Sequence, residues 1–204
     1  MNLLQNLKPA LCILALASLT ACGGSGNGMD SSSGSGSTVN GDSDTGTLRL
    51  ALTDAPACGF DTVFVTIQKV RVHKSSDATD TDGGWSEIVL NPAKKVDLLS
   101  LTNGKLEDLG QTVLPAGKYT QLRLVLTDNN GIPFANSAKP TGESEVALQT
   151  PSGQQSGIKT NIDITVPANT TADFVLDFDA CKSIVAAGGS GKYLLKPVLS
   201  IIPR

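Results

Sequence analysis

Acidic side chains recur along one predicted strand near the end of the chain. In residues 172–179 every second residue is apolar, and Asp177 and Asp179 fall between them on the opposite face. Side chains two residues apart on a strand lie about 6–7 Å apart on the same face. Carboxylates at this spacing suit a Ca²⁺ ion when loop oxygens complete its shell. Asp54 and Asp128, each at the end of a predicted strand, are candidate further ligands.

The same carboxylates have two other interpretations. They are either solvated or paired with a lysine, and Lys196, flanked by apolar residues, is the predicted internal partner. Alternatively, paired aspartates act as acid and base or nucleophile in an envelope hydrolase of the glycosidase type. No EF-hand loop is present in the sequence.

Histidine and tryptophan offer little chemistry, since each occurs once. His73, at the end of a predicted strand, is predicted to be a surface residue, because no nucleophile motif or set of zinc ligands accompanies it. Trp85 follows a Gly-Gly pair and is predicted to lie in the core, with a role as a sugar-stacking platform as the alternative.

The chain opens with a predicted lipoprotein leader. Lys8 is followed by a short apolar run and by Leu-Thr-Ala-Cys at 19–22, a lipobox. The run is too short to span a bilayer. Residues 1–21 are therefore predicted to be removed and Cys22 to be acylated, which anchors the protein to a membrane. Gly23 after the cysteine favours the outer membrane, and an ordinary secretory signal is the alternative.

Residues 22–45 are predicted to be a flexible linker, because they are almost all Gly, Ser, Asn, Asp and Thr. Residues 46–204 form one domain of ordinary size. The net charge of −3 argues against nucleic acid as a partner, which would need a basic face.

Two of the four cysteines, Cys58 and Cys181, remain once Cys12 is removed and Cys22 is acylated. An exported domain lies in an oxidising compartment, so the sequence predicts a Cys58–Cys181 disulfide, with two buried thiols as the alternative.

The domain is predicted to be all-β. Alternating apolar residues and turn signals recur throughout it, and they predict a single antiparallel β-sandwich of about eight or nine strands. Between residues 62 and 73 the apolar phase changes from Val63, Val65 and Ile67 to Val70 and Val72, which predicts a β-bulge. Asn91-Pro92 is predicted to end a strand that begins at Trp85, and 193–202 is predicted to be one strand.

Several motifs of the domain resemble a known family. They are Gly46-Thr-Leu-Arg-Leu-Ala-Leu-Thr-Asp-Ala-Pro56, Gly83-Gly-Trp85, Leu114-Pro-Ala-Gly-x-Tyr-Thr-Gln-Leu-Arg-Leu124 and Tyr193-Leu-Leu-Lys-Pro197. Together they resemble the bacterial lipoprotein family catalogued as a domain of unknown function, number 4382. The resemblance implies a transthyretin-like or immunoglobulin-like sandwich in the cell envelope and brings no activity or cofactor.

The sequence therefore predicts a non-enzymatic binding or structural module with a protein or glycan ligand. A Ca²⁺-stabilised, adhesin-like domain and the aspartate hydrolase are the alternatives.

Overall fold

The computed structural model describes residues 44–55, 59–151 and 156–204. The predicted leader, the acylation site Cys22, nearly all of the predicted linker and Cys58 lie outside these ranges, so the predictions made for them stay predictions.

The all-β prediction is confirmed, and helical structure in the described ranges is limited to single turns. A short α-helix, α1 (Ala180–Ser183), and two 3₁₀ turns, Leu98–Leu101 and Gly188–Ser190, are the helical segments there. Twelve strands occur in the same ranges: β1 (Thr45–Asp54), β2 (Phe60–His73), β3 (Ser86–Asp97), β4 (Glu107–Pro115), β5 (Gly117–Leu126), β6 (Ser137–Pro140), β7 (Val146–Gln149), β8 (Ile158–Val166), β9 (Thr171–Phe178), β10 (Ile184–Ala186), β11 (Tyr193–Leu195) and β12 (Leu199–Pro203).

The strands form two sheets, as a β-sandwich requires. The smaller sheet has the order β12-β9-β1-β4, and the larger has the order β10-β11-β7-β6-β2-β5-β8, with β3 paired to β2. Most neighbouring strands are antiparallel, but β1 pairs with β9 and β7 pairs with β11 in parallel. The sequence indicated antiparallel pairing and did not reveal these two parallel pairs, because their partner strands are far apart along the chain.

One hydrophobic core joins the two sheets. Its centre includes a leucine row from β1 and another from β5, and all six side chains are fully buried: Leu48, Leu50, Leu52, Leu122, Leu124 and Leu126. Burial of each leucine contributes about 1.5–3 kcal/mol relative to exposure. The two strands share the pattern Leu-Arg-Leu, yet their arginines differ. Arg49 is exposed and pairs with Asp173, whereas Arg123 is buried.

The predicted β-bulge in β2 is confirmed. The pairing of β2 with both β3 and β5 shifts between Ile67 and Lys69. Beyond this shift β2 pairs with β5, whereas its first residues pair with β6. The bulge therefore lets one long strand pair with two successive neighbours.

Two strand boundaries differ from the prediction. β3 does not end at Asn91-Pro92 but continues to Asp97. Its residues 90–93 are unpaired opposite Gln68, and this irregularity accommodates a proline that has no N–H to donate. The predicted strand 193–202 is two strands, β11 and β12, separated by residues 196–198, which include Pro197.

Candidate functional site

Charged side chains line up across the larger sheet in one row. The register sets Arg71 of β2 opposite Glu87 of β3 on one side and opposite Arg123 of β5 on the other. Arg123 in turn lies opposite Lys159 of β8. Like charges directly opposite each other destabilise a sheet. Three adjacent cations therefore need compensation from their surroundings.

Arg71 has an acidic partner. Its Nε lies 2.8 Å from Oε1 of Glu87 in an ion pair without hydrogen-bond geometry, and the same oxygen accepts a bond from Nζ of Lys69 at 3.0 Å. The Nη1 of Arg71 donates to the carbonyl oxygen of Asp80 at 3.2 Å. One carboxylate thus serves two cations at the β3 end of the row.

Arg123 has no acidic partner within 4.0 Å in the described part of the chain, although only 7 % of its surface is exposed. Its Nη1 donates to the carbonyl of Ser156 at 3.1 Å and its Nη2 to that of Ala78 at 2.9 Å. Its Nε is buried and makes no hydrogen bond. Buried charges are usually paired with an opposite charge. Arg123 therefore lies beneath the surface without a carboxylate in contact, and the acidic group that acts on it from a greater distance is Asp82.

An aromatic ring lies against both arginines. The guanidinium carbons of Arg71 and Arg123 lie 4.5 Å and 5.1 Å from the ring centroid of Trp85. The indole Nε1 donates to the carbonyl of Thr79 at 2.9 Å. A cation over an indole face gains about 0.5–2 kcal/mol, more when it is desolvated. Trp85 therefore supports two neighbouring cations that repel each other.

The loop between β2 and β3, residues 74–85, folds back over this face of the sheet. The carbonyl of Ala78 accepts bonds from Gln121 Nε2 at 3.2 Å and from Arg123. At the loop's start, His73 Nδ1 accepts a bond from the backbone N–H of Ser75, which leaves Nε2 to donate to the carbonyl of Gly83. The loop is thus fixed to the sheet at its base and its centre.

A cleft of about 590 Å³ opens beside this cluster. Three of its lining residues are cationic: Arg123, Lys159 and Lys196. Lys159 and Lys196 are exposed at the rim. We call this the cationic cleft, and no described acidic residue lines it; the other lining residues are Thr150, Pro151, Ser156, Gly157, Ile158, Leu195 and Pro197.

A second cleft of about 310 Å³ adjoins the first, because Thr150 and Pro151 line both. Besides these two residues it is lined by Asp128, Asn129, Asn130, Ala147, Leu148 and Gln149. We call it the amide cleft, since three of these side chains are amides.

The comparison with protein-family models identifies the domain. Residues 45–197 match the model described as "Domain of unknown function (DUF4382)". The chain belongs to this family. No curated protein and no solved structure matches it. Over the described ranges of the chain, no helix is long and apolar enough to cross a membrane.

In the DUF4382 domain, three of the four predicted metal ligands lie near one another. Asp54 is buried, with 6 % of its surface exposed, and its Oδ1 accepts the N–H of Ala180 at 2.8 Å while its Oδ2 is buried without a hydrogen bond. Burial raises the pKa of Asp54 to about 6, and the charges of Asp177 and Asp179 add to the rise. The ionised form of Asp54 is therefore destabilised in this environment.

Asp179 is committed to α1. Its Oδ1 accepts the backbone N–H of Lys182 at 3.0 Å, and its Oδ2 pairs with Lys182 Nζ at 2.6 Å. Hydrogen bonding and the charge of Lys182 lower the pKa of Asp179. The ion pair predicted for Lys196 is not found in the described ranges, because Asp179 pairs with Lys182 and the Lys196 side chain is exposed.

Asp128 lies apart from these residues in the DUF4382 domain. It follows β5 of the larger sheet, and its two oxygens accept bonds from the backbone and side chain of Asn130 at 2.8 Å and 2.9 Å. No three His, Cys, Asp or Glu side chains of the described residues come together as a metal site would require.

The remaining candidates lie as follows. Trp85 is half-buried on the outer face of the larger sheet, outside the hydrophobic core predicted for it. His73 is half-buried and holds the 74–85 loop. Cys181 lies in α1, and its predicted partner Cys58 is outside the described residues.

The cationic cleft was not predicted from the sequence. The pattern Leu-Arg-Leu gave no local signal, because alternation places the arginine on the face opposite the leucines and Arg49 in the same pattern is exposed. The neighbours of Arg123, Lys159 and Lys196, are 36 and 73 residues further along the chain, and only the strand register and the path of the chain after β11 bring all three to one cleft.

Proposed function

We propose that this protein is a non-catalytic, lipid-anchored binding module of the cell envelope that holds an anionic ligand in the cationic cleft. The lipobox at 19–22 supports the anchor, and the charge of the cleft supports the ligand class. The 22–45 linker would let the domain reach a ligand away from the lipid surface.

One observation supports an anionic ligand. The chain as a whole is slightly acidic, with a net charge of −3, yet the cationic cleft collects three cations and no described acid. Arg123 is buried below the cleft without a carboxylate, so its field is screened less by water than that of a surface residue. Lys159 and Lys196 at the rim supply exposed donors. An anion in the cleft would supply the direct contact with a negative charge that Arg123 lacks among the described residues.

The hydrolase alternative has weaker support. A carboxylate-pair mechanism needs two available carboxyl groups that face one substrate. Asp179 is instead bonded to Lys182 through both of its oxygens. The raised pKa of Asp54 follows from its burial, and Oδ1 of Asp54 accepts a hydrogen bond from the N–H of Ala180.

Calorimetric titration of the purified protein with glucuronate tests the proposal. We expect binding that weakens as ionic strength rises. The double variant Lys159→Gln/Lys196→Gln should reduce affinity by about tenfold or more, because each lost bond to a charged group is worth about 1.5–3 kcal/mol. Both residues are exposed, so the fold should be retained.

The matched control removes the same two charges elsewhere. Lys105 and Lys118 are exposed and do not line the cleft. Lys105→Gln/Lys118→Gln should bind glucuronate as the unaltered protein does. Equal losses in the two double variants, or no binding by the unaltered protein, would overturn the proposed ligand class.

The anchor needs its own test, because Cys22 lies outside the described residues. Cells grown with labelled palmitate should incorporate the label into the protein, and Cys22→Ser should abolish it and release the protein from the membrane fraction. Labelling of the Cys22→Ser variant would refute the anchor while leaving the cleft untouched.

A further inference from the structure

The two clefts form one continuous surface. Thr150 and Pro151 line both, so a ligand seated in the cationic cleft can extend across them into the amide cleft. Each volume is within or near the range typical of a site for one small molecule. Together they suit a ligand of several linked units.

The chemistry changes along this surface. The cationic cleft contains Lys159 and Lys196, whereas the amide cleft contains Asp128, exposed Asn130 and exposed Gln149. A ligand that carried negative charge along its whole length would meet the carboxylate of Asp128. Amide and carboxylate groups together offer donors and acceptors that match hydroxyl groups. The surface therefore fits a ligand that is acidic at one end and neutral and hydroxylated at the other.

The amide cleft is preformed. Nδ2 of Asn129 donates to the carbonyls of Asn136 and Leu148 at 3.0 Å and 2.9 Å, and its Oδ1 accepts the N–H of Asn136 at 2.7 Å. Asn136, fully buried, donates in turn to the carbonyl of Thr127 at 2.7 Å. These bonds fix the walls before any ligand arrives, which lowers the entropy lost on binding.

An extended peptide is a poorer fit to the same surface. Peptides commonly bind by adding a strand to an open sheet edge. β7, which supplies Ala147 to Gln149, is paired with β6 on one side and with β11 on the other. The backbone of Leu148 is also used, since its N–H donates to Asn136 and its carbonyl accepts from Asn129. Recognition there must use side chains.

We infer that the ligand is an acidic oligosaccharide, with its acidic sugar in the cationic cleft and its neutral sugars across Pro151 in the amide cleft. This inference rests on the proposed function and specifies that the anionic ligand is an oligosaccharide. It assigns Asn130 and Gln149 as contacts to neutral sugar hydroxyls.

Three saccharide probes separate the two clefts. They are glucuronate, the neutral trisaccharide xylotriose, and aldotetraouronic acid, in which a glucuronic acid is attached to xylotriose. The purified protein should bind aldotetraouronic acid about tenfold tighter than glucuronate, because a few hydroxyl hydrogen bonds of ordinary strength are added. Xylotriose alone should bind more weakly than either acid.

Variants assign the gain to the amide cleft. Asn130→Ala/Gln149→Ala alters two exposed side chains and should remove the tenfold gain while leaving glucuronate affinity unchanged. Asn161→Ala/Gln111→Ala, which changes exposed residues outside both clefts, is the matched control and should keep the gain.

The outcomes distinguish this inference from the proposed function. Equal affinity for glucuronate and aldotetraouronic acid would overturn the inference and leave the anion site intact. No binding of either acid would overturn both. Tighter binding of a hexaglutamate peptide than of aldotetraouronic acid would replace the saccharide by an acidic peptide and so refute the inference.

Discussion

Arg71 and Arg123 lie directly opposite each other on adjacent strands and contact the same indole ring, that of Trp85. Two guanidinium groups in this arrangement repel each other. Glu87 pairs with Arg71, whereas no described carboxylate lies within 4.0 Å of Arg123 and Asp82 acts on it from a greater distance. Arg123 lines the cationic cleft, so its charge lies beside that cleft.

Replacing Trp85 should show how much the ring supports this pair. Trp85→Ala removes a half-buried ring and two cation–π contacts, so the free energy of unfolding should fall by about 2–3 kcal/mol. Urea unfolding followed by circular dichroism measures this, since the variant has no tryptophan fluorescence. Val89→Ala, at an exposed position on β3, the strand that follows Trp85, is the control. A loss below about 0.5 kcal/mol for Trp85→Ala would show that the ring contributes nothing beyond a surface residue.

Asp54 should make stability depend on pH. Its pKa is raised to about 6 in the folded protein from about 3.8 when unfolded, so the folded state binds the proton more tightly. Stability from this group is therefore present below about pH 4 and is lost as pH rises to about 6. The groups close to it are Asp177 and Asp179, and Lys182 pairs with Asp179.

Asp54→Asn removes the titrating group but keeps an oxygen to accept the N–H of Ala180. Thermal unfolding should show the variant more stable than the unaltered protein by about 2–3 kcal/mol at pH 8 and nearly equal at pH 4. Asp163→Asn, at an exposed position, should change stability little at either pH. A destabilised Asp54→Asn at pH 8 would mean that the carboxylate is stabilised by a partner.

Asn136 should be essential to the base of the amide cleft. Asn136→Ala leaves the buried N–H of Thr66 and the carbonyl of Thr127 without partners, at about 1–3 kcal/mol each. We expect a total loss of about 2–4 kcal/mol in urea unfolding. Asn161→Ala, at an exposed position on β8, should cost less than about 0.5 kcal/mol. Similar values for the two variants would contradict a preformed cleft.

The predicted disulfide is tested by counting thiols. The denatured, unreduced protein should show no reactive thiol at Cys58 or Cys181, and Cys181→Ser should expose one at Cys58. Loss of a bridge that closes a loop of roughly 120 residues should cost about 2–4 kcal/mol. Two reactive thiols in the unaltered protein would instead support the alternative of free cysteines.

Periodicity predicted the strands that contribute most to the core. The change of apolar phase in β2 correctly placed its bulge, because core burial fixes which side chain faces inward. β4 was missed because it is an edge strand, in which only Leu109 and Leu114 are fully buried. β6 has four residues, too few for a pattern.

The cleft could not be predicted in the same way. Lys159 reaches Arg123 through strand register, and Lys196 reaches it through the break between β11 and β12 at Pro197. Neither relationship can be recognised from the spacing of residues within a short stretch of the sequence. The aspartates were prominent because they alternate within one strand, yet Asp179 serves to begin α1.

The most direct test of the account is to locate the bound anion by backbone NMR. On titration with glucuronate, amide signals of Gly157, Ile158, Lys159, Leu195 and Lys196 should shift together and saturate, while those of Thr53, Asp54 and Asp177 stay unchanged. Saturable shifts around Asp54 and Asp177 with none at Lys159 and Lys196 would contradict the cationic cleft as the binding site.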